Sequence, residues 1–261
     1  MVWNVSPILL SIGPLTIHWY GFLFAMGFLL ASRISEVMFK KEGHSTENFD
    51  KLVFYMIVGT LLGARLGHTL IYEPEIYLHD PIRILKIWEG GLASHGGTIG
   101  VITGVYIWKR RFWRGNLLSL LDIVCVPSAL VGALIRLGNL FNSEILGRPT
   151  DLPWGVIFSR VNPLPRHPSM VYESIAYLIT YLILNMEYKK ELLRKNGFIT
   201  GTFFVLIFTF RFLIEFTKEL QVQSEVGLPM DYGQLLSIPF VILGIVLMVR
   251  AKELKKGRSA L

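Results

Sequence analysis

Seven stretches of nearly unbroken apolar character dominate the chain, at residues 17–39, 52–72, 92–108, 117–140, 168–188, 198–217 and 232–250. About 20 helical residues cross the roughly 30 Å hydrocarbon layer of a bilayer, so each run predicts a transmembrane helix. The pattern predicts an all-α integral membrane protein, with residues 1–261 forming one polytopic membrane domain. Two connecting segments, 73–91 and 141–167, are long for a helical bundle and carry turn signals, which predicts a small head built from them. No internal repeat, low-complexity tract or separate soluble domain stands out.

Charge orients the spans, because cytoplasmic loops collect Lys and Arg. Sixteen of the 26 basic residues fall in alternate segments: Lys40, Lys41 and Lys51; Lys109, Arg110, Arg111 and Arg114; Lys189, Lys190, Arg194 and Lys195; Arg250, Lys252, Lys255, Lys256 and Arg258. The intervening segments hold six, namely Arg83, Lys86, Arg148, Arg160, Arg166 and Lys218. This sorting predicts an outer amino terminus, a cytoplasmic carboxyl terminus and a head on the outer face. The first 16 residues lack the basic leader of a signal peptide, so the first run is expected to stay as a span.

Composition narrows the class further. With 52% of residues apolar and 17% charged, a soluble globule is excluded. The net charge of +7 follows from topology and anionic inner-leaflet lipid, so no nucleic-acid partner is needed. Twelve prolines and 24 glycines, many inside the runs, argue against simple lipid-facing rods and for a polar interior. The single cysteine, Cys125, cannot form an intrachain disulfide and reads as a small inert hydrophobe.

Four basic residues remain inside the spans: Arg33 near an inner end, and Arg65, Arg136 and Arg211 deeper. A rise of about 1.5 Å per residue puts Arg65 roughly 21 Å beyond Lys51, in the outer half, and Arg136 and Arg211 come late in spans running the same way. An arginine at the centre of a spanning helix costs at least about 2.5 kcal/mol unless paired or solvated, so three at one depth point to a shared anionic ligand. The alternative is internal pairing, of Arg211 with Glu215 and of Arg136 with Glu144 or Glu173. The same depth receives His18-Trp19-Tyr20-Gly21 and Ser94-His95-Gly96-Gly97. His95, among small residues, has the side-chain chemistry for proton transfer near neutral pH, although a structural histidine fits the bare pattern too. His44, His68, His79 and His167 lack metal-ligand spacing, and no HExxH or Walker pattern occurs, so neither a metal nor a cofactor is expected.

The stretch 135–148, Ile-Arg-Leu-Gly-Asn-Leu-Phe-Asn-Ser-Glu-Ile-Leu-Gly-Arg, is too polar for lipid contact where a helix leaves the membrane. Arginine there suits phosphate, because its planar donors bind bidentately. These residues resemble the signature of the bacterial prolipoprotein diacylglyceryl transferases, Gly-Arg-x-Gly-Asn-Phe-x-Asn-x-Glu-x-x-Gly. The resemblance extends to His18–Gly21, His95–Gly97, Arg166-His167-Pro168-Ser169-x-x-Tyr172-Glu173 and Arg211-Phe212-x-x-Glu215, and so covers nearly the whole chain. Ile135 and Leu140 depart from the signature's leading glycine and its phenylalanine, and neither replaces a chemically active group.

The resemblance implies seven spans in a bacterial inner membrane and transfer of a diacylglyceryl group from phosphatidylglycerol to the lipobox cysteine of a preprolipoprotein signal peptide. By the same resemblance His95, Arg136, Arg211 and Tyr20 are the catalytic candidates. Arg136, Asn139, Glu144, Arg211, Arg65, Gly96 and Gly97 are expected to bind the lipid, with Asn142, Gly147, Glu215 and His167 in support. A rival from another class is a transporter of a lipid or anionic solute, since intramembrane arginines and glycine-broken helices serve that function as well. Against it, the polar groups cluster outward and no two-half repeat is evident. An intramembrane hydrolase using Ser94 or Ser169 lacks a nucleophile motif.

Overall fold

The fold is described from a computed structural model, which covers residues 1–13, 15–71, 80–86, 93–190, 192, 195–219 and 230–251. Long helices stand at all seven apolar runs: α1 (Trp19–Lys41), α2 (Phe49–Ile71), α3 (Ser94–Phe112), α4 (Leu117–Asn142), α5 (Ser169–Lys189), α6 (Phe198–Glu215) and α7 (Tyr232–Arg250). Five of them, α1, α2, α4, α6 and α7, are long and apolar enough to cross a membrane. Their outward residues are the large apolar ones, among them Leu29, Leu70, Leu213, Ile242 and Val249. That surface suits lipid and not water. α3 ends on Lys109, Arg110 and Arg111, and α5 carries Glu173, so neither is as uniformly apolar.

The chain divides into two compact units, residues 36–117 and residues 1–35 with 118–261. The smaller is built on α2 and α3. Gly59, Gly63 and Gly67 on α2 face Gly96, Gly100 and Gly104 on α3, so that a Cβ added to Gly96 or Gly100 would collide with the carbonyl of Gly63 or Gly59. Three glycines per helix, four residues apart, line one face of each and let the backbones touch. The glycines therefore do not break these helices or open a polar cavity, as the composition had suggested; they remove the side chains that would hold the helices apart. At the other end of this pair an aromatic cluster of Phe39, Phe49, Trp108 and Trp113 surrounds His44, and the Trp108 indole donates to the Asn48 carbonyl at 2.9 Å.

The larger unit packs α4 against α5 and α6 through Ala133, Ala176, Tyr177, Ile207, Phe210 and Ile214, and α6 against α7 at Gly201 and Gly244. Buried Asp122 of α4 caps α6 from outside that helix, accepting from the Gly197 and Thr200 amides at 2.6 and 2.7 Å and from the Thr200 hydroxyl at 2.6 Å. This satisfies amides that a helix start leaves without intrahelical partners.

Short strands complete this unit and were not expected from the apolar runs. β1 (Val2–Trp3) runs parallel to β4 (Val156–Phe158), which pairs antiparallel with β5 (Pro165–Arg166). β2 (Ile8–Ile12) and β3 (Leu15–His18) form a separate hairpin, so the first helix begins at Trp19 and His18 closes a strand. Leu146, Val156, Phe158 and Met170 form a small core with Trp3, Leu140 and Val171 around it. The segment 141–167 contributes β4, β5 and part of this core, whereas most of 73–91, the other segment expected in a head, lies outside the described residues.

Candidate active site

The polar groups of the larger unit gather where α4 ends. α1 crosses α4 with Tyr20 lying on Gly138, where an added Cβ would come within 2.8 Å of the tyrosine ring. Gly138 thereby brings Tyr20 within electrostatic reach of Arg136 and Glu144. The last two turns of α4 and the turn that follows then supply a chain of side chains. Arg136 Nη1 donates to Asn139 Oδ1 at 3.4 Å, and Asn139 Nδ2 and Asn142 Nδ2 donate to the two oxygens of Glu144 at 3.1 Å each.

Glu144 sits between two residues of left-handed backbone, Ser143 at φ 57° and Ile145 at φ 56°. A β-branched residue avoids that region, and such strain persists only where surrounding contacts enforce it. Here the Arg160 guanidinium donates to the Ser143 hydroxyl at 2.8 Å, and Glu144 N donates to the Asn139 carbonyl at 3.0 Å. The strained turn directs the Glu144 carboxylate back onto the end of α4.

Gly147 closes the turn in a space no side chain can enter, since a Cβ there would lie 2.5 Å from His167 Cβ. Its amide donates to the His167 carbonyl at 3.0 Å and its carbonyl accepts from Arg166 at 3.1 Å. His167 holds its Nδ1 3.2 Å from the Tyr172 hydroxyl, which also accepts from the Trp154 indole at 2.9 Å. Asn142, Gly147 and His167 therefore all make contacts around this turn.

The arginines differ in their partners. Arg136 Nε lies 3.0 Å from Glu173 Oε2, so the internal pair with Glu173 forms. A guanidinium has five N–H donors, and the groups around Arg136, with Tyr177 alongside, do not occupy them all. Arg211 does not pair with Glu215. Glu215 is held by Lys218 Nζ at 2.9 Å and covered by Gly233 of α7, leaving partly buried Arg211 with no hydrogen bond or ion pair among the described residues. Both arginines lie in the last two turns of helices that pack together lower down.

Beyond the candidate site residues, the structure adds Lys218 and gives Glu173, expected only as a possible partner of Arg136, a second cation. Glu173, fully buried, and Lys218, 4% exposed, join through a 2.9 Å ion pair from Lys218 Nζ to Glu173 Oε1. Lys218 had read as an ordinary loop charge. Its spacing of three from Glu215 was the available signal, placing the two on one helical face.

In the smaller unit Arg65, 3% exposed, donates from Nε to the Ile84 carbonyl at 2.9 Å, anchoring the 3-10 turn Pro81–Leu85. Gly96 serves the contact between α2 and α3, while Gly97 meets only ordinary contacts, the nearest being Ala64 Cβ at 3.5 Å. The His95 side chain lies outside what the structure describes; its backbone belongs to the first turn of α3.

Residues 7–250 match the family model for prolipoprotein diacylglyceryl transferase. The chain belongs to this family. It is 49% identical over 254 residues to a phosphatidylglycerol–prolipoprotein diacylglyceryl transferase of Tolumonas auensis, covering 97% of this chain and 98% of the relative. A protein of the same name from Chloroherpeton thalassium is 45% identical over 258 residues, covering 97% and 96%, and one from Porphyromonas gingivalis 44% over 269, covering 96% and 94%. As a member of this family the chain is an enzyme, a transferase, and the end of α4 with its strained turn carries the residues that resemble the family signature.

Proposed function

We propose that this transferase moves the diacylglyceryl group of phosphatidylglycerol to the lipobox cysteine of a preprolipoprotein, the first step of lipoprotein maturation. It does so as a seven-span protein of a bacterial inner membrane, with its amino terminus outside. Arg211 carries the reading: a guanidinium in an apolar helix with no protein partner among the described residues suits an anion supplied from outside the chain.

The reaction is alkyl transfer. The cysteine thiol loses its proton to His95, the thiolate attacks the glyceryl carbon, and the bond from that carbon to the phosphate oxygen breaks. The electron pair leaves with the phosphate, so the products are a thioether and glycerol-1-phosphate. A thiol of ordinary pKa, about 8.5, is only a few per cent ionised at neutral pH, which is why a base is needed. Arg136 and Arg211 stabilise the charge that grows on the leaving phosphate. Asn139 and Glu144 hold Arg136 from the α4 side, and Tyr20 helps to orient the lipid or the incoming thiol. Gly97 and the Arg65 anchor support the lipid-binding region of the second unit.

Purified protein incubated with phosphatidylglycerol and a lipobox peptide provides the test, with the peptide read by mass spectrometry. A peptide that gains one diacylglyceryl group, with equimolar glycerol-1-phosphate released, is the expected result. An unmodified peptide in the presence of folded protein would overturn the assignment.

A further inference from the structure

We infer that Glu173 and Lys218 are positioning residues for Arg136, a buried ionic relay that holds its guanidinium at one edge and keeps donors available to the phosphate. This rests on the transferase reading above.

The division of Glu173 between two cations carries the inference. Its Oε2 lies 3.0 Å from Arg136 Nε, and its Oε1 lies 2.9 Å from Lys218 Nζ. The carboxylate is 0% exposed and among the described residues neither oxygen has a hydrogen bond, so the two ion pairs are what compensates its charge. A carboxylate facing an arginine alone tends to take two parallel N–H bonds. With one oxygen drawn to Lys218, Glu173 meets Arg136 at Nε, and among the described residues, with Nη1 held by Asn139 and Tyr177 alongside, the guanidinium keeps donors for a further acceptor. A bidentate carboxylate there would compete with the very phosphate the arginine is proposed to bind.

Lys218 is placed for this by the signature turn. Its backbone bridges antiparallel to Gly147, the Arg148 amide donates to the Thr217 carbonyl at 2.8 Å, and Arg148 Nε donates to the Lys218 carbonyl at 2.7 Å. Glu215, 2.9 Å from the ammonium, balances its second half. The turn that ends α4 is thus connected to the arginine three residues before Asn139 by a second route, through 147–148, Lys218 and Glu173. Burying ionised groups is costly, and apolar residues of like volume often serve stability as well or better. A relay kept for function differs from a brace in one respect: restoring stability without the charges does not restore the rate.

Turnover and KM for phosphatidylglycerol, with thermal stability in the same detergent, are measured for the wild type, Glu173→Gln, Lys218→Arg, Lys218→Met and the double variant Glu173→Gln/Lys218→Met. Misplacing a catalytic group by about 1 Å costs about 10²-fold. Glu173→Gln is therefore expected to lose about 10²-fold in kcat with a smaller change in KM, while Lys218→Arg keeps most of the rate. Lys218→Met, which frees Glu173 to close on Arg136, is expected to raise KM and lower kcat. The double variant is expected to regain wild-type stability and stay slow. A double variant that regains both stability and rate, or a folded Glu173→Gln at the wild-type rate, overturns the relay and leaves the transferase reading intact. Absence of transfer by the folded wild type overturns that reading itself.

Discussion

Arg211 and Arg136 are chemically alike and differ in what surrounds them. Glu173 meets Arg136, and among the described residues no protein group pairs with Arg211. An unpaired guanidinium is expected to act through its planar fork, which a lysine ammonium cannot reproduce. Arg211→Lys should therefore keep the fold yet lose roughly 10²-fold in kcat/KM, the share typical of one charge-stabilising donor; a folded variant at the wild-type rate would make Arg211 structural. His44 gives a pH dependence of stability. Burial among Phe39 and Trp113 lowers its pKa, partly offset by Glu42. The folded state thus binds its proton less readily than the unfolded chain. The stability this neutral ring contributes is complete above the unfolded value of about 6.5 and is lost as pH falls through the folded pKa. Melting temperatures between about pH 7.5 and 5 should fall less steeply for His44→Phe than for the wild type, and identical slopes would dissociate His44 from the effect. At this scale Arg136, Asn139, Glu144 and Gly147 were legible because their types and spacing are chemically conspicuous. Lys218 was not, because a lysine next to a helix end is indistinguishable in sequence from a topological charge until its partner is seen.

The elements were legible wherever one physical demand acted on the whole segment. An apolar run of bilayer length leaves the backbone no alternative to helix, and helices stand at all seven runs. β2 and β3 escaped notice because Ile8–Ile12 and Leu15–His18 are short runs leading directly into the first helix, where the apolar pattern changes little. The glycines of α2 and α3 were seen and assigned the wrong consequence: only the pairing of the two helices reveals that their missing side chains are filled by the opposite backbone. Gly100→Ala forces the Gly59 carbonyl to move and should destabilise the fold by about 1–3 kcal/mol, the usual cost of overpacking. Gly97→Ala, one turn nearer the amino end of α3, has room for its methyl and should leave melting unchanged. Thermal unfolding of the two variants in one detergent checks the contrast, and equal losses would contradict the packing account. Lowered activity in a stable Gly97→Ala would instead support its lipid-binding role.

For the whole molecule, the distribution of Lys and Arg predicts which segments face which compartment. After Cys125 is replaced, a cysteine introduced near residue 155 should react with an impermeant thiol reagent from outside the cell, and one near residue 193 should be protected. The reverse pattern would invert the topology and put the arginines at the inner leaflet. Chemically, the proposed transfer stands on the bond made to the cysteine, a thioether formed by alkyl transfer from a phospholipid. The most direct measurement is mild alkaline hydrolysis of the modified lipobox peptide followed by mass spectrometry. Alkali removes ester-linked acyl chains and cleaves a thioester, but spares a thioether. Alkyl transfer leaves a peptide that retains one glyceryl group on its cysteine after both chains are gone. Recovery of the free cysteine peptide would show acyl transfer and contradict it.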